Sequence, residues 1–459
     1  MNLYHRLYRR LGGQHRTHFS AMQIIAVAFA LIILVGALLL TLPAASRSGV
    51  SCGFRPALFT ATSATCVTGL VLYDTWSQWS GLGQIVILCL IELGGLGFMS
   101  AASLFVFLLR KKVGLKQRMV MAQALSLNDM ESVVKLQKWV IVGSLAVQLS
   151  GALILFVRFL PDFGWIRAAC WGIFHAVSAF CNAGFDVFGV LEPGTSLAVF
   201  NQDPVVILTL GALVAVGGLG FFVWEEVVRV HSWKKFSVYT RLVLITSLVL
   251  TLGGAVCFCV LEWNNPQTLG PMDIPGKLLN GLFQSVTVRT AGFAAIDQAA
   301  LTDSAKAVSM VLMLIGGSSG STAGGLKTVT LMVLLLFLWC RVRGRTTVCV
   351  FKRTIPSHQI MDAMTIAFIM IGLAMFGGIF ISATSPVRFT DALYEAVSAL
   401  ATVGLTAGAT GSLSIPAQIL MMIYMYFGRV GILTISLGFL MGNKAEERYQ
   451  YAQTNLLIG

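Results

Sequence analysis

Eight long apolar runs alternate with polar connections along the chain, at about 21–43, 81–109, 137–160, 204–228, 241–262, 305–340, 360–383 and 415–442. The first, Ala21 to Leu42, has the roughly 20 apolar residues that a membrane-spanning helix needs. Taken in pairs, the runs enclose four shorter, semi-polar pieces, about 54–70, 165–185, 275–293 and 388–405, each ending in glycine followed by Phe or Leu. These ends read Thr65-Cys66-Val67-Thr68-Gly69-Leu70, Ser178-Ala179-Phe180-Cys181-Asn182-Ala183-Gly184-Phe185, Val286-Thr287-Val288-Arg289-Thr290-Ala291-Gly292-Phe293 and Ala399-Leu400-Ala401-Thr402-Val403-Gly404-Leu405-Thr406.

The glycines follow one another after 115, 108 and 112 residues, a period that identifies a repeated unit of two spans around a re-entrant piece. Sorting Lys and Arg by alternate connections puts 22 with the N-terminus and the connections after even-numbered runs, against seven on the other side (Arg47, Arg55, Arg158, Arg167, Lys277, Lys306 and Arg388). The positive-inside rule then predicts cytoplasmic termini, with the glycine pieces entering from outside. An even number of spans per unit relates the units by an axis along the membrane normal, unlike the inverted repeats of most secondary transporters. Irregular backbone at membrane depth is tolerated only where protein buries it or water fills a cavity, so four such pieces on one axis predict a central pore. The expected fold is an all-α membrane protein: four parallel M1-P-M2 pore hairpins, with eight transmembrane helices and four re-entrant P loops, around a pseudo-fourfold pore. The units are 21–120, 121–235, 236–350 and 351–442, between tails at 1–20 and 443–459.

The second run of each unit repeats too. Glu92-Leu93-Gly94-Gly95-Leu96-Gly97-Phe98 matches Val216-Gly217-Gly218-Leu219-Gly220-Phe221, and Gly428-Arg429-Val430-Gly431 takes the same place in unit four. Close helix packing is the plain reading of these glycines. Unit three differs: a continuous helix from Ala307 to Cys340 would be about 50 Å long, against a hydrocarbon core of about 30 Å. In its middle lies Gly316-Gly317-Ser318-Ser319-Gly320-Ser321-Thr322-Ala323-Gly324-Gly325, shortly before Lys327, so an interrupted helix with a loop (316–327) in or below the pore is expected.

Composition agrees. With 56% hydrophobic and 11% charged residues and mean hydropathy +0.82, the chain lies far from soluble averages. The net charge of +13 fits cytoplasmic loops facing anionic lipid better than a nucleic-acid partner. Nine cysteines without a CxxC pair or a His/Cys cluster indicate neither a disulfide framework nor a zinc site. The basic N-terminus and Pro43-Ala44-Ala45-Ser46 keep a cleaved signal peptide as a minor alternative.

Cation selectivity requires oxygen ligands around an axis in place of the hydration shell, which backbone carbonyls supply without net charge. Glycine reaches φ > 0 cheaply and lets such carbonyls turn inward. A short helix before each glycine would aim its partially negative C-terminus at the cation. On these motifs, the Gly316–Lys327 loop and Gly428-Arg429-Val430-Gly431, the chain resembles, over essentially its full length, the superfamily of potassium transporters that includes Trk, Ktr and plant HKT proteins. Having one run before Gly69, and not an extra N-terminal pair, it is most similar to the KtrB-type membrane subunits of Ktr systems. The resemblance implies a potassium filter built from the backbone of Cys66-Val67-Thr68-Gly69, Cys181-Asn182-Ala183-Gly184, Arg289-Thr290-Ala291-Gly292 and Ala401-Thr402-Val403-Gly404, with Gly69 favouring potassium over sodium. It also implies a gate formed by loop 316–325, Lys327 and Arg429. A homodimer in a bacterial cell membrane is expected, with a cytoplasmic KtrA-like ring of nucleotide-binding regulatory subunits. No cofactor is expected in this chain beyond potassium as substrate and sodium as a candidate activator.

Competing readings stay open for single residues. Arg429 serves the pore or pairs structurally, with Glu92 as a candidate partner; Lys327 is a gate residue or a snorkelling lysine. Arg289 reads as a brace for its loop, His175 as a packed aromatic, and Cys66 and Cys181 as backbone contributors. The loop is not a phosphate-binding P-loop, because Leu326 separates Gly325 from Lys327-Thr328. A transporter coupling potassium to sodium or protons through Glu92 is the main alternative. An enzyme is disfavoured, since no segment offers paired carboxylates, a metal cluster or a nucleophile–base pattern.

Overall fold

The second apolar helix of every repeat starts at a side-chain cap. A computed structural model describes residues 21–97, 132–345 and 347–431. In it Ser80, Asp203, Thr302 and Ser414 each accept a hydrogen bond from a backbone N–H two or three positions on, satisfying donors that a helix start leaves free. Pro204 and Pro416 sit in the first turn of two of these helices, where a missing N–H costs nothing.

Repeat one holds α1 (Ala21–Thr41), α2 (Phe54–Thr65) and α3 (Gly81–Gly95). Repeat two holds α4 (Ser132–Phe180), α5 (Pro204–Leu219) and α6 (Phe221–Val230). Repeat three holds α7 (Val238–Glu262), α8 (Ile274–Thr287), α9 (Asp303–Leu314) and α10 (Thr328–Val342). A small hairpin pairs Cys349–Val350 with Arg353–Thr354, and repeat four follows with α11 (Ser357–Thr384), α12 (Phe389–Leu400) and α13 (Ile415–Val430). Among the described residues four helices are long and apolar enough to cross a membrane alone, in α1, α4, α7 and α11, and the α5–α6 pair makes a fifth if counted as one bent span. The remainders of the runs at 81–109 and 415–442, and both expected tails, lie outside the described residues.

Among the described residues, three runs of repeats two and three bend or break. Apolar run and semi-polar piece of repeat two merge into α4, kinked at Gly164 (φ 73°) near Pro161. The run at 204–228, expected as one span, bends by 94° between α5 and α6. Gly220 takes φ 90° there, and the N–H of Phe221 donates to Gly320 O at 2.9 Å. The run at 305–340 is interrupted, as its length requires: α9 ends at Leu314, α10 starts at Thr328, and the loop between them is closed at its neck by Gly316 N–H to Leu326 O and Leu326 N–H to Leu314 O, both 2.9 Å.

Packing runs round a circle. Each long helix lies on its own repeat, α1 on α2, α4 on α5, α7 on α8 and α11 on α12, while α3 reaches α4, α5 reaches α8, α9 reaches α12 and α13 returns to α2. Glycines permit the approach. A Cβ on Gly94, Gly217 or Gly428 would collide with the carbonyl oxygen of Thr65, Phe180 or Leu400, the last residues of α2, α4 and α12, in line with the packing role of small residues between membrane helices. Gly94→Val should therefore overpack the α2–α3 contact, costing about 1–3 kcal/mol, and lower the thermal midpoint of the purified protein. An unchanged midpoint would show that this contact is loose.

A ring of glycines above a pinned loop

The four glycine motifs meet in one ring. Two residues before each glycine, a non-glycine residue takes positive φ: Val67 (56°), Asn182 (60°), Thr290 (75°) and Thr402 (53°), of which the β-branched Val and Thr disfavour it most. The glycines follow with φ of 98° at Gly69, 68° at Gly184, 83° at Gly292 and 96° at Gly404. The same strained position recurring four times is a structural requirement, since such conformations persist only where the surroundings over-determine them. A Cβ on Gly69 would collide with Ala183 O, one on Gly184 with Ala291 O, one on Gly292 with Val403 O, and one on Gly404 with Thr68 O. The contacts run from repeat to repeat and close on the first. Cys66, Arg289 and Ala401 lie at or next to the C-terminal ends of α2, α8 and α12, and Cys181 follows the end of α4, so four partially negative helix ends converge on the ring.

Hydroxyls that the motif reading passed over hold the turns. Ser63 Oγ accepts from Gly69 N–H at 3.0 Å and Ser398 Oγ from Gly404 N–H at 3.1 Å, while Ser178 Oγ donates to Phe185 O at 2.7 Å. All three serines stand six residues before the glycine, a signal already present in the repeat. Repeat three has Val286 at that position, and Thr287 Oγ1 donates instead to Phe293 O at 2.7 Å.

On one side of the ring lies a cavity of about 470 Å³ bordered by all four glycines and by Asp74, Asp186 and Asp297. The Asp74 carboxylate is held by Ser77 N–H and Oγ at 2.7 Å. Burial, and then the nearby Asp74 charge, push Asp186 up to about 6. Asp74 and Asp297 each follow their glycine by five residues, but Asp186 follows Gly184 by two and repeat four has Ala409 at the fifth position, so the aspartates do not form a fourfold repeat.

Loop 316–327 is fastened from several repeats. Ser318 N–H donates to Gly218 O at 3.0 Å, and Thr322 N–H to Gly217 O at 3.3 Å. Thr322 Oγ1 donates to Phe180 O at 3.1 Å, Tyr239 from the start of α7 donates to Ser319 O at 2.9 Å, and Lys327 Nζ to Ala323 O at 2.8 Å. Gly324 comes so close to Ala401 O and Thr402 Oγ1 that no Cβ would fit. Arg429 from α13 donates through Nη1 to Thr322 O and through Nη2 to Gly94 O and Gly95 O. One guanidinium thus joins the loop to repeat one.

Arg429 does not bond Glu92. The Glu92 carboxylate accepts from Gln148 Nε2 at 3.0 Å and from Cys181 Sγ at 3.4 Å, so the Cys181 side chain has a partner that a backbone role alone did not foresee. Cys66 is buried in the core. His175 stacks on Phe188 at 3.9 Å, with Nδ1 2.8 Å from Trp171 O, as a packed aromatic would. Arg289 Nη1 donates to Ser247 O and Thr251 Oγ1 of α7, at 3.2 and 3.1 Å. Among the described residues no group of three His, Cys, Asp or Glu could hold a metal ion.

Comparison with known proteins agrees with this arrangement. The family profile of TrkH, described as a cation transport protein, matches residues 8–448. The potassium/sodium uptake protein NtpJ of Enterococcus hirae is 40% identical over 449 residues, 97% of this chain and 98% of that protein. The Ktr system potassium uptake protein B of Bacillus subtilis is 37% identical over 431 residues, 94% of this chain and 95% of that protein. The crystal structure of the potassium transporter TrkH from Vibrio parahaemolyticus superimposes with a TM-score of 0.71 at 17% identity, covering 93% of this chain and 86% of that one, and so shares the fold. With a family match across nearly its whole length and relatives of this identity, the chain is a multi-pass membrane protein of the TrkH family of cation transport proteins.

Proposed function

We propose that this chain is the potassium-translocating membrane subunit of a Ktr-type uptake system. The observation that carries the reading is the closed ring in which each of the four glycines touches the carbonyl preceding the next. The names of the relatives, uptake proteins for potassium or for potassium and sodium, support the choice of ion. In this reading the four repeats are M1-P-M2 hairpins in a bacterial cell membrane, both termini are cytoplasmic, and the acidic cavity is the outer mouth. A cation entering there sheds water and takes carbonyl oxygens from Cys66–Gly69, Cys181–Gly184, Arg289–Gly292 and Ala401–Gly404 in its place. The converging helix ends stabilise its charge.

Below the ring, the loop 316–327 acts as the gate. It lies across the path and is latched by Arg429, whose charge also opposes a cation there. A charged hydrogen bond is worth about 1.5–3 kcal/mol, so three of them set a barrier that a shift of repeat one or of α13 can release. The chain works as a homodimer on a ring of nucleotide-binding regulatory subunits, the nucleotide staying off this chain. A coupled transporter is the second reading, favoured by one observation: Glu92 Oε1 is buried without a partner among the described residues, as an ion- or proton-binding oxygen would be. Flux of potassium against its own gradient, driven by sodium or protons in liposomes, would establish it.

Three outcomes are expected. Because a Cβ at residue 69 collides with Ala183 O, Gly69→Ser should widen the ring and raise sodium permeability relative to potassium by about tenfold, the effect of 1.4 kcal/mol; an unchanged ratio in electrophysiology on folded protein would count against the filter. Removing part of 316–326 should raise rubidium flux by about tenfold or more, and unaltered flux would sink the gate. Asp186, charged above about 6 and neutral below, should make uptake fall as external pH drops from 7.5 to 5, roughly the range that brackets that value. Asp186→Asn should flatten the profile, and a variant titrating like the parent would assign the pH effect elsewhere.

A further inference from the structure

Between α5 and α7 a lateral cavity of about 260 Å³ runs from the lipid side, at Leu248, to Gly317 of the loop, and Arg289 forms part of its wall. Leu248 is 60% exposed. Most of the lining is apolar. Arg289 uses Nη1 on Ser247 and Thr251, but its buried Nε has no partner, and no carboxylate pairs with it among the described residues. The end of α8, two residues before it, offers a helix dipole worth about half a charge. A full guanidinium charge is left roughly half compensated beside an apolar cavity, a costly arrangement inside a membrane.

We propose that this cavity takes the carboxylate of a single-chain fatty acid, paired with Arg289, with the tail lying between α5 and α7 in the bilayer. The charge fits, since Arg matches a planar carboxylate through two parallel hydrogen bonds. The depth selects the source. Ser247 and Thr251 lie near the middle of α7, which spans Val238–Glu262, far from either surface where phospholipid headgroups reside. A carboxylic acid crosses hydrocarbon in its neutral form and ionises beside the arginine, whereas a phosphodiester stays charged. The volume selects it again: the cavity falls below the roughly 300–1,000 Å³ of drug-sized sites, enough for a carboxylate and a few methylenes but not for a glycerol bearing two chains. Bound there, the anion offsets a positive charge next to Thr290 of the ring and fills the space beside Gly317, linking occupancy to the ring and the loop.

Binding of dansyl-labelled undecanoate to the full chain in lipid nanodiscs, measured as the saturable fluorescence above protein-free discs, tests the site without depending on which ion is carried. Oleate should displace the probe, and oleyl alcohol and short-chain phosphatidylglycerol should not. Leu248→Trp, at the cavity mouth, should weaken binding by at least about tenfold. Val249→Trp, on the same helix, 62% exposed and outside the cavity, should bind like the parent. Absence of a saturable component, displacement by the alcohol or the phospholipid as effective as by oleate, or equal losses in the two Trp variants would each overturn the proposal. The competition arm uses the parent chain, so it stands even where a variant fails to fold.

Discussion

Four peptide backbones approach one axis more closely than a Cβ allows, and the rest of the fold is arranged to keep them there. Gly69, Gly184, Gly292 and Gly404 each press on the carbonyl of a neighbouring repeat, so no turn can hold its shape alone. A second tier of glycines, Gly94, Gly217 and Gly428, brings the helices behind onto the ends of α2, α4 and α12. With lipid on the outside there is no hydrophobic gain in joining one apolar helix to another, and small residues that bring backbones into van der Waals contact provide the cohesion instead. The strained residues Val67, Thr290 and Thr402 remain because this packing leaves the turns no alternative.

Charge within the membrane is handled by carbonyls in place of carboxylates. Arg429 is satisfied by the backbone of Thr322, Gly94 and Gly95, and Lys327 by Ala323. A carboxylate partner would neutralise the arginine but tie it to one side chain. Carbonyls at broken helix ends instead make the arginine's satisfaction depend on where the loop and α3 sit, which is why a side chain of repeat four reports on the relation between repeats one and three.

Much of this was legible in the sequence because the constraint is local and repeated. A backbone that must reach positive φ near its neighbours selects glycine, and four such selections at near-equal intervals mark the ring and its preceding helices. The break at 315–327 was legible because a helix of that length exceeds the membrane. The bend at Gly220 was not, since its cause is a hydrogen bond to Gly320, a hundred residues away, and an apolar run reads alike whether straight or bent. The partners of Arg429 were hidden for a related reason: backbone oxygens leave no trace in residue identity, so Glu92, a visible charge, drew the expectation. Glu92 turned instead toward Gln148 and Cys181, a contact between repeats whose register no single-repeat pattern contains.

Repeat three is where the fourfold arrangement is most altered, and its departures are connected. It carries Val286 where the others place serine, Arg289 where they place Cys66, Cys181 and Ala401, and the loop between α9 and α10. A long cation at the foot of the ring cannot point toward its neighbours, where backbones already touch. It leaves sideways to α7, opening a cavity between α5 and α7 that a smaller residue would let close. The same side of the molecule receives the loop, whose tip Ser319–Gly320 rests on Tyr239 and on the bend before Phe221. Three repeats hold the ring by near-equivalent means, and repeat three, excused from strict symmetry, holds both the pinned loop and the cavity beside Arg289.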